Sequence, residues 1–102
     1  MTKIEGIENL RNLRELVLDK NKIKAIGEFS FFGQNQRLSE LHIEENRLKD
    51  LQNIQGLRNI EKLFVANNKI SEIADIDRMN ELIHLQELSL INNPVRFILR
   101  LQ

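Results

Sequence analysis

Apolar side chains recur along this chain in a spacing that neither a strand nor an amphipathic helix produces alone. In LRELVLDKNKI (13–23) the recurring positions are Leu13, Leu16, Leu18 and Ile23, steps of three, two and five, with Asn21 set inside the apolar series. A half-buried strand alternates every second residue and a helix repeats at three and four, so the segment changes rule partway through. The same arrangement returns as LSELHIEENRL (38–48), IEKLFVANNKI (60–70) and LQELSLINNPV (85–95), all reading LxxLxLxxNxL with Ile or Val allowed for Leu. The recurring amides, Asn21, Asn46, Asn68 and Asn93, stand 25, 22 and 25 residues apart. A near-constant period of this size is the mark of a solenoid.

Between these blocks apolar residues fall at every third position. In the shortest unit they are Leu48, Leu51, Ile54, Leu57, Ile60 and Leu63. The two longer units each insert one more triplet: Ile26, Phe29 and Phe32 lead to Leu38 with Asn35 at an apolar position, and Ile73, Ile76, Met79, Leu82 and Leu85 run unbroken. Length changes in whole triplets keep the same side chains facing inward, which a segment with about three residues per turn requires.

The pattern predicts a coil in which each LxL is a short strand and each triplet run returns on the outer side as 3₁₀ or α turns. Strands are expected near Arg14–Leu18, Ser39–Ile43, Glu61–Val65 and Gln86–Leu90, paired in parallel at about 4.8 Å, with right-handed crossovers. Each recurring Asn falls where the chain leaves its strand and backbone groups lose sheet partners. An amide carries donors and an acceptor, so a ladder of stacked Asn side chains can satisfy those groups. Leu in the same place would leave them unpaired, at about 1–3 kcal/mol per buried group.

These residues resemble the leucine-rich-repeat superfamily. The 22-residue unit with NxIxxI after the strand is similar to the short subclass typified by the nuclear regulator of protein phosphatase 1. Similar repeats occur in axonemal dynein light chains, ciliary assembly proteins, tubulin-folding cofactors and a spliceosomal leucine-rich protein. The resemblance covers nearly the whole chain and implies one α/β domain over 1–102. That domain is a solenoid of about four repeats, with a short parallel sheet on its concave side and 3₁₀ or α turns on its convex side. It implies a binding scaffold, phosphatase-regulatory, ciliary or cytoskeletal, without fixing the partner, because such scaffolds serve many. Met1 falls at the register of Ile23, Leu48 and Ile70, so the chain is expected to open mid-repeat. At the other end NPVRFILRLQ begins a capping segment and stops, with Phe97, Ile98, Leu99 and Leu101 covering the last coil in part. Terminal coils expose apolar faces unless capped, so a fragment, a short isoform or self-association through the ends is expected.

Composition narrows the function classes. The 102 residues are 41% hydrophobic, enough for one core, with Leu and Ile dominant and no Trp or Tyr. Lys plus Arg and Asp plus Glu number 15 each, so bulk charge argues for neither nucleic acid nor a membrane surface. The absence of Cys removes disulfides and thiolate metal sites. No signal-peptide core or membrane-length apolar run occurs, and an intracellular, cytoplasmic protein is expected, with cilium, cytoskeleton or nucleus as alternative addresses.

Strand alternation defines which side chains the sheet turns to solvent. The central column is Val17, His42, Phe64 and Ser89, flanked by Glu15, Glu40, Lys62 and Glu87 on one side and Asp19, Glu44, Ala66 and Ile91 on the other. Val17, Phe64, Ala66 and Ile91 are apolar where water is expected, and grouped apolar residues with an aromatic make a candidate hot spot. Single exposed apolar residues carry no such meaning. Acids outnumber bases on this face, whereas Lys22, Arg47 and Lys69 recur on another edge. A protein partner with a basic or amphipathic segment is therefore expected, contacting Glu15, Val17, Asp19, Glu40, His42, Glu44, Phe64, Ala66, Glu87 and Ile91.

Chemistry is not expected. His42 has Glu40 and Glu44 two residues to either side, which could orient an imidazole or help hold a metal, but alternation places the three on one face whatever their purpose. The serines show no triad spacing, the glycines form no phosphate loop, and His84 falls in an outer return. No catalytic residue, metal or cofactor is assigned. A ribonucleoprotein adaptor is the second class, on the strength of the basic edge, although phosphate binding usually needs a denser stripe.

Overall fold

The computed structural model describes residues 12–26, 37–52, 54–71 and 74–94, with the side chains of 75 and 76 excepted. Four strands, β1 (Glu15–Val17), β2 (Glu40–His42), β3 (Lys62–Phe64) and β4 (Glu87–Ser89), form one sheet in chain order. All pairings are parallel, and the register aligns the repeats position for position: Leu16, Leu41, Leu63 and Leu88 stand side by side. The molecule is a solenoid, and the strand positions are those the pattern predicts, one residue shorter at each end.

The strands are short because each coil bends at both ends. At the start, a single carbonyl accepts two amides of the next coil: Arg14 from Ser39 and Glu40, Ser39 from Glu61 and Lys62, Glu61 from Gln86 and Glu87. At the exit, Lys20, Glu45, Asn67 and Asn92 adopt positive φ between 56° and 60°. Left-handed backbone turns the chain inward there. Pairing nevertheless continues through the bend, since Lys20 N, Glu45 N and Asn67 N donate to the carbonyls of Glu44, Ala66 and Ile91 on the following coil. Asn67 and Asn92 belong to a type that tolerates this region. Lys20 and Glu45 carry no such mark.

The returns follow the triplet rule. In the 22-residue unit a 3₁₀ turn spans Ile54–Gly56, and in the following unit α1 covers Ala74–Met79. Leu48, Leu51, Ile54, Leu57, Ile60 and Leu63 are all buried to 1% exposure or less. Every third residue in that run faces the core, and each such burial contributes about 1.5–3 kcal/mol. Burial falls off away from the middle: Leu41 and Leu63 are fully enclosed, Leu16 is half-buried and Leu88 is 39% exposed. Each coil of a solenoid is covered by its neighbours. Phe29, Phe32, Asn35 and Ile73, the opening at Met1 and the capping segment at Phe97, Ile98, Leu99 and Leu101 lie outside the described residues.

The Asn ladder bonds amide to backbone of the preceding coil. Asn68 Nδ2 donates to Ile43 O at 2.8 Å, and to Val65 O and Ala66 O of its own turn, while its Oδ1 accepts from Leu48 N at 3.0 Å. Asn46 repeats this with Leu18 O and Ile23 N, and Asn93 with Val65 O and Ile70 N. Asn21 donates to Leu18 O and Asp19 O. Asn46 and Asn68 are buried, so the four bonds of Asn68 answer groups that water does not reach.

Candidate functional site

Because Leu16, Leu41, Leu63 and Leu88 align inward, their strand neighbours align on the opposite, open face. That face is a grid of three rows. Glu15, Glu40, Lys62 and Glu87 form the first row, Val17, His42, Phe64 and Ser89 the second. Asp19, Glu44, Ala66 and Ile91 follow just beyond the strands.

The middle of the grid is built around two stacked rings. His42 and Phe64, both half-buried, lie with centroids 4.5 Å apart and planes 24° from parallel. His42 Nε2 donates to Glu40 Oε2 at 2.7 Å, and Lys62 Nζ lies 3.9 Å from Glu40 Oε1. The His42 ring is thus held by its own strand through a carboxylate and by the next strand through an aromatic face. Exposed apolar ends border the rings: Val17 is 55% exposed and Ile91 67%.

Glu15 completes a cluster that alternation along one strand does not reveal. It sits opposite Glu40 across β1 and β2, where like charges directly opposed are destabilising. A hydrogen bond between the two carboxyls offsets this repulsion when one of them is protonated. Glu15 is raised above the usual carboxylate value chiefly by its hydrogen bond to Glu40, whose charge adds to the effect. Glu40 is lowered chiefly by the hydrogen bond from Glu15 and then by that from His42. Glu15, Glu40 and His42 could each offer one ligand atom, all within 4.8 Å of one another. Alternation groups Glu44 with Glu40 and His42, yet cross-strand register brings Glu15 there. Its equal place within the repeat was the available sign.

Two expected contact residues are placed differently. Ala66 is only 6% exposed, which corrects its assignment to the solvent-facing contacts: a single methyl does not rise past its backbone, whereas Ile91 at the equivalent position does. Asp19 is half-buried and its Oδ1 accepts the Glu44 backbone N–H at 2.6 Å, so part of its role is to join two coils. Glu15 and Glu87 are exposed, and Glu40 and Glu44 half-buried. Lys22, Arg47 and Lys69 are exposed on the edge beyond the ladder, and His84 is exposed in the last return. At the start of the strands, a depression of about 420 Å³ is lined by Arg14, Arg37, Ser39, Asn59 and Glu61. It holds charges of both signs. Among the described residues no helix is long and apolar enough to cross a membrane.

Comparison with known proteins agrees with this geometry. A family model described as leucine rich repeat matches residues 11–70. Among solved structures, the chain is similar to an internalin (inlF) from Listeria monocytogenes, with a TM-score of 0.76 at 23% identity over 89% of this chain and 26% of that one. It is similar to internalin C2 from the same organism, with a TM-score of 0.75 at 30% identity over 90% of this chain and 38% of that one. A leucine-rich-repeat protein of Leptospira interrogans gives 0.74 at 35% identity over 85% of this chain and 21% of that one. The chain therefore spans well under half the length of each of these proteins.

Proposed function

Because this chain belongs to the leucine-rich-repeat family, we propose that it is a non-enzymatic interaction module that takes a basic, amphipathic protein segment on the open face of its sheet. Leucine-rich-repeat domains generally act as protein-interaction modules. The observation that carries the finer reading is one of arrangement. Val17, the stacked His42 and Phe64 rings, and Ile91 form an apolar band, and Glu15, Glu40, Glu44 and Glu87 border it. Four strands span about 15 Å, wide enough for one helix of about 10–12 Å. The apolar band supplies the anchor and the acids orient the partner. Such a module fits an intracellular scaffold. Its ciliary, cytoskeletal or phosphatase-regulatory setting rests on the repeat signature.

The test is calorimetry of the full chain with an amphipathic helical peptide carrying Leu on one face and Lys and Arg on the other. Phe64→Ala combined with Glu44→Lys should abolish binding while the circular dichroism spectrum stays unchanged. Unaltered affinity in the double variant would refute the sheet-face site. A second reading, a ribonucleoprotein adaptor, draws on the exposed basic edge of Lys22, Arg47 and Lys69. It requires RNA binding that persists at physiological salt.

A further inference from the structure

The stacked rings leave one slot of the grid unfilled. His42 and Phe64 are paired across β2 and β3 and their centroids are 4.5 Å apart, close to the spacing of neighbouring strands. Planes stacked at that spacing have their normals directed across the sheet. Each ring therefore covers one face of the other and turns its second face along the same row: His42 toward Val17 on β1, Phe64 toward Ser89 on β4. On the β1 side the position is occupied by a branched apolar side chain. On the β4 side Ser89 offers only a hydroxymethyl group, so among the described residues no larger side chain of the row lies against the second face of Phe64.

The borders of this slot define its occupant. Glu87, two residues before Ser89 on the same face, is exposed, and among the described residues its carboxylate has no hydrogen bond or ion pair. Lys62 is opposite Glu87 in the register but lies 3.9 Å from Glu40 on its other side. Ile91, two residues after Ser89, is 67% exposed. The slot thus presents an aromatic plane, an available carboxylate and an apolar wall. A guanidinium is planar, stacks on aromatic faces and pairs with a carboxylate through two parallel N–H donors, above an apolar stem. An ammonium can make the ion pair and a cation–π contact but has neither the plane that stacks nor the fork that pairs through two parallel donors, and a neutral ring would stack and leave Glu87 without a partner.

We infer that the partner segment presents an arginine whose guanidinium stacks on the open face of Phe64 above Ser89 and pairs with Glu87. This rests on the reading of the sheet's open face as the partner surface. It adds which side chain anchors the partner and which strands, β3 and β4, receive it.

Hexa-arginine and hexa-lysine peptides, titrated separately into the full chain by calorimetry at low ionic strength, test it. Hexa-arginine should bind measurably tighter, because the guanidinium adds planar stacking and bidentate pairing to the cation–π contact that both cations can make. Ser89→Tyr, which fills the slot with a ring of the protein's own, should erase that preference. Phe64→Leu, which keeps an apolar residue but removes the plane, should do the same. Equal affinities for the two peptides, or a preference that survives both substitutions, would overturn the inference. If the affinities are equal and both fall in the Phe64→Ala, Glu44→Lys variant, the arginine anchor fails and the sheet-face reading stands. If that variant weakens neither peptide, both fail together.

Discussion

Asn68 does at one position what a whole turn of backbone cannot do for itself. It donates to three carbonyls on two coils and accepts the Leu48 amide. Asn68→Ala strands these groups in a buried setting, where each unsatisfied group costs about 1–3 kcal/mol. The variant should lose about 3 kcal/mol or more in urea denaturation; a loss under about 1 kcal/mol would show that the ladder is ornamental. The Glu15 and Glu40 pair predicts a pH signature. A raised group such as Glu15 stabilises the fold below its unfolded value and loses that contribution as pH rises through the raised one. A lowered group such as Glu40 stabilises above its unfolded value and loses that contribution as pH falls through the lowered one. The two contributions overlap around the ordinary carboxylate value, and the pair therefore helps most there. Thermal melts should show a small fall in melting temperature as pH climbs out of that range, and Glu15→Gln should flatten it. An identical pH profile in the variant would mean the carboxyls do not interact. At this scale the ladder amides were legible in the sequence, because a polar residue kept at one place in an apolar repeat must have buried backbone groups to bond. The partnership of Glu15 with His42 was not, because it depends on cross-strand register and not on alternation within one strand.

The elements are set by a counting rule. Triplet returns differ in length by three residues between units, yet β2, β3 and β4 stay in register. Inserting three residues with one Leu after Leu57 should consequently cost under about 2 kcal/mol, since every inward side chain keeps its direction. Inserting one residue there swings Ile60 and its successors off the core, forfeiting about 1.5–3 kcal/mol for each apolar side chain exposed. Against a total stability of about 5–15 kcal/mol, the single insertion should abolish cooperative unfolding. Equal tolerance of both insertions by denaturant titration would contradict the rule. Strand centres and the inward leucines follow from spacing alone, and they were legible for that reason. The choice between the 3₁₀ turn at Ile54–Gly56 and the helix Ala74–Met79 was not, because a period of three suits either until the added triplet gives room for another turn. The left-handed exits at Lys20 and Glu45 were also hidden. Those side chains do not favour that region, and it is the pairing of their amides with the next coil that holds them there.

Across the whole molecule, the fold separates two chemistries that are mixed in the sequence. Equal numbers of acids and bases give no net charge, but register gathers Glu15, Glu40, Glu44 and Glu87 around the open face and leaves Lys22, Arg47 and Lys69 on the far edge. Alternation made most of this face legible in advance. Ala66 departed from it because burial depends on side-chain length as well as direction, and Ser89 gained meaning only when the two ring planes beside it were placed. The most direct measurement is amide chemical-shift mapping of the ¹⁵N-labelled chain against a basic amphipathic helical peptide. A partner seated on the open face of the sheet should give the largest perturbations at Val17, His42, Phe64, Ser89 and Ile91, with Lys49 and Ile83 unmoved. Perturbations centred on the basic edge or the outer returns, with the sheet residues unchanged, would contradict it.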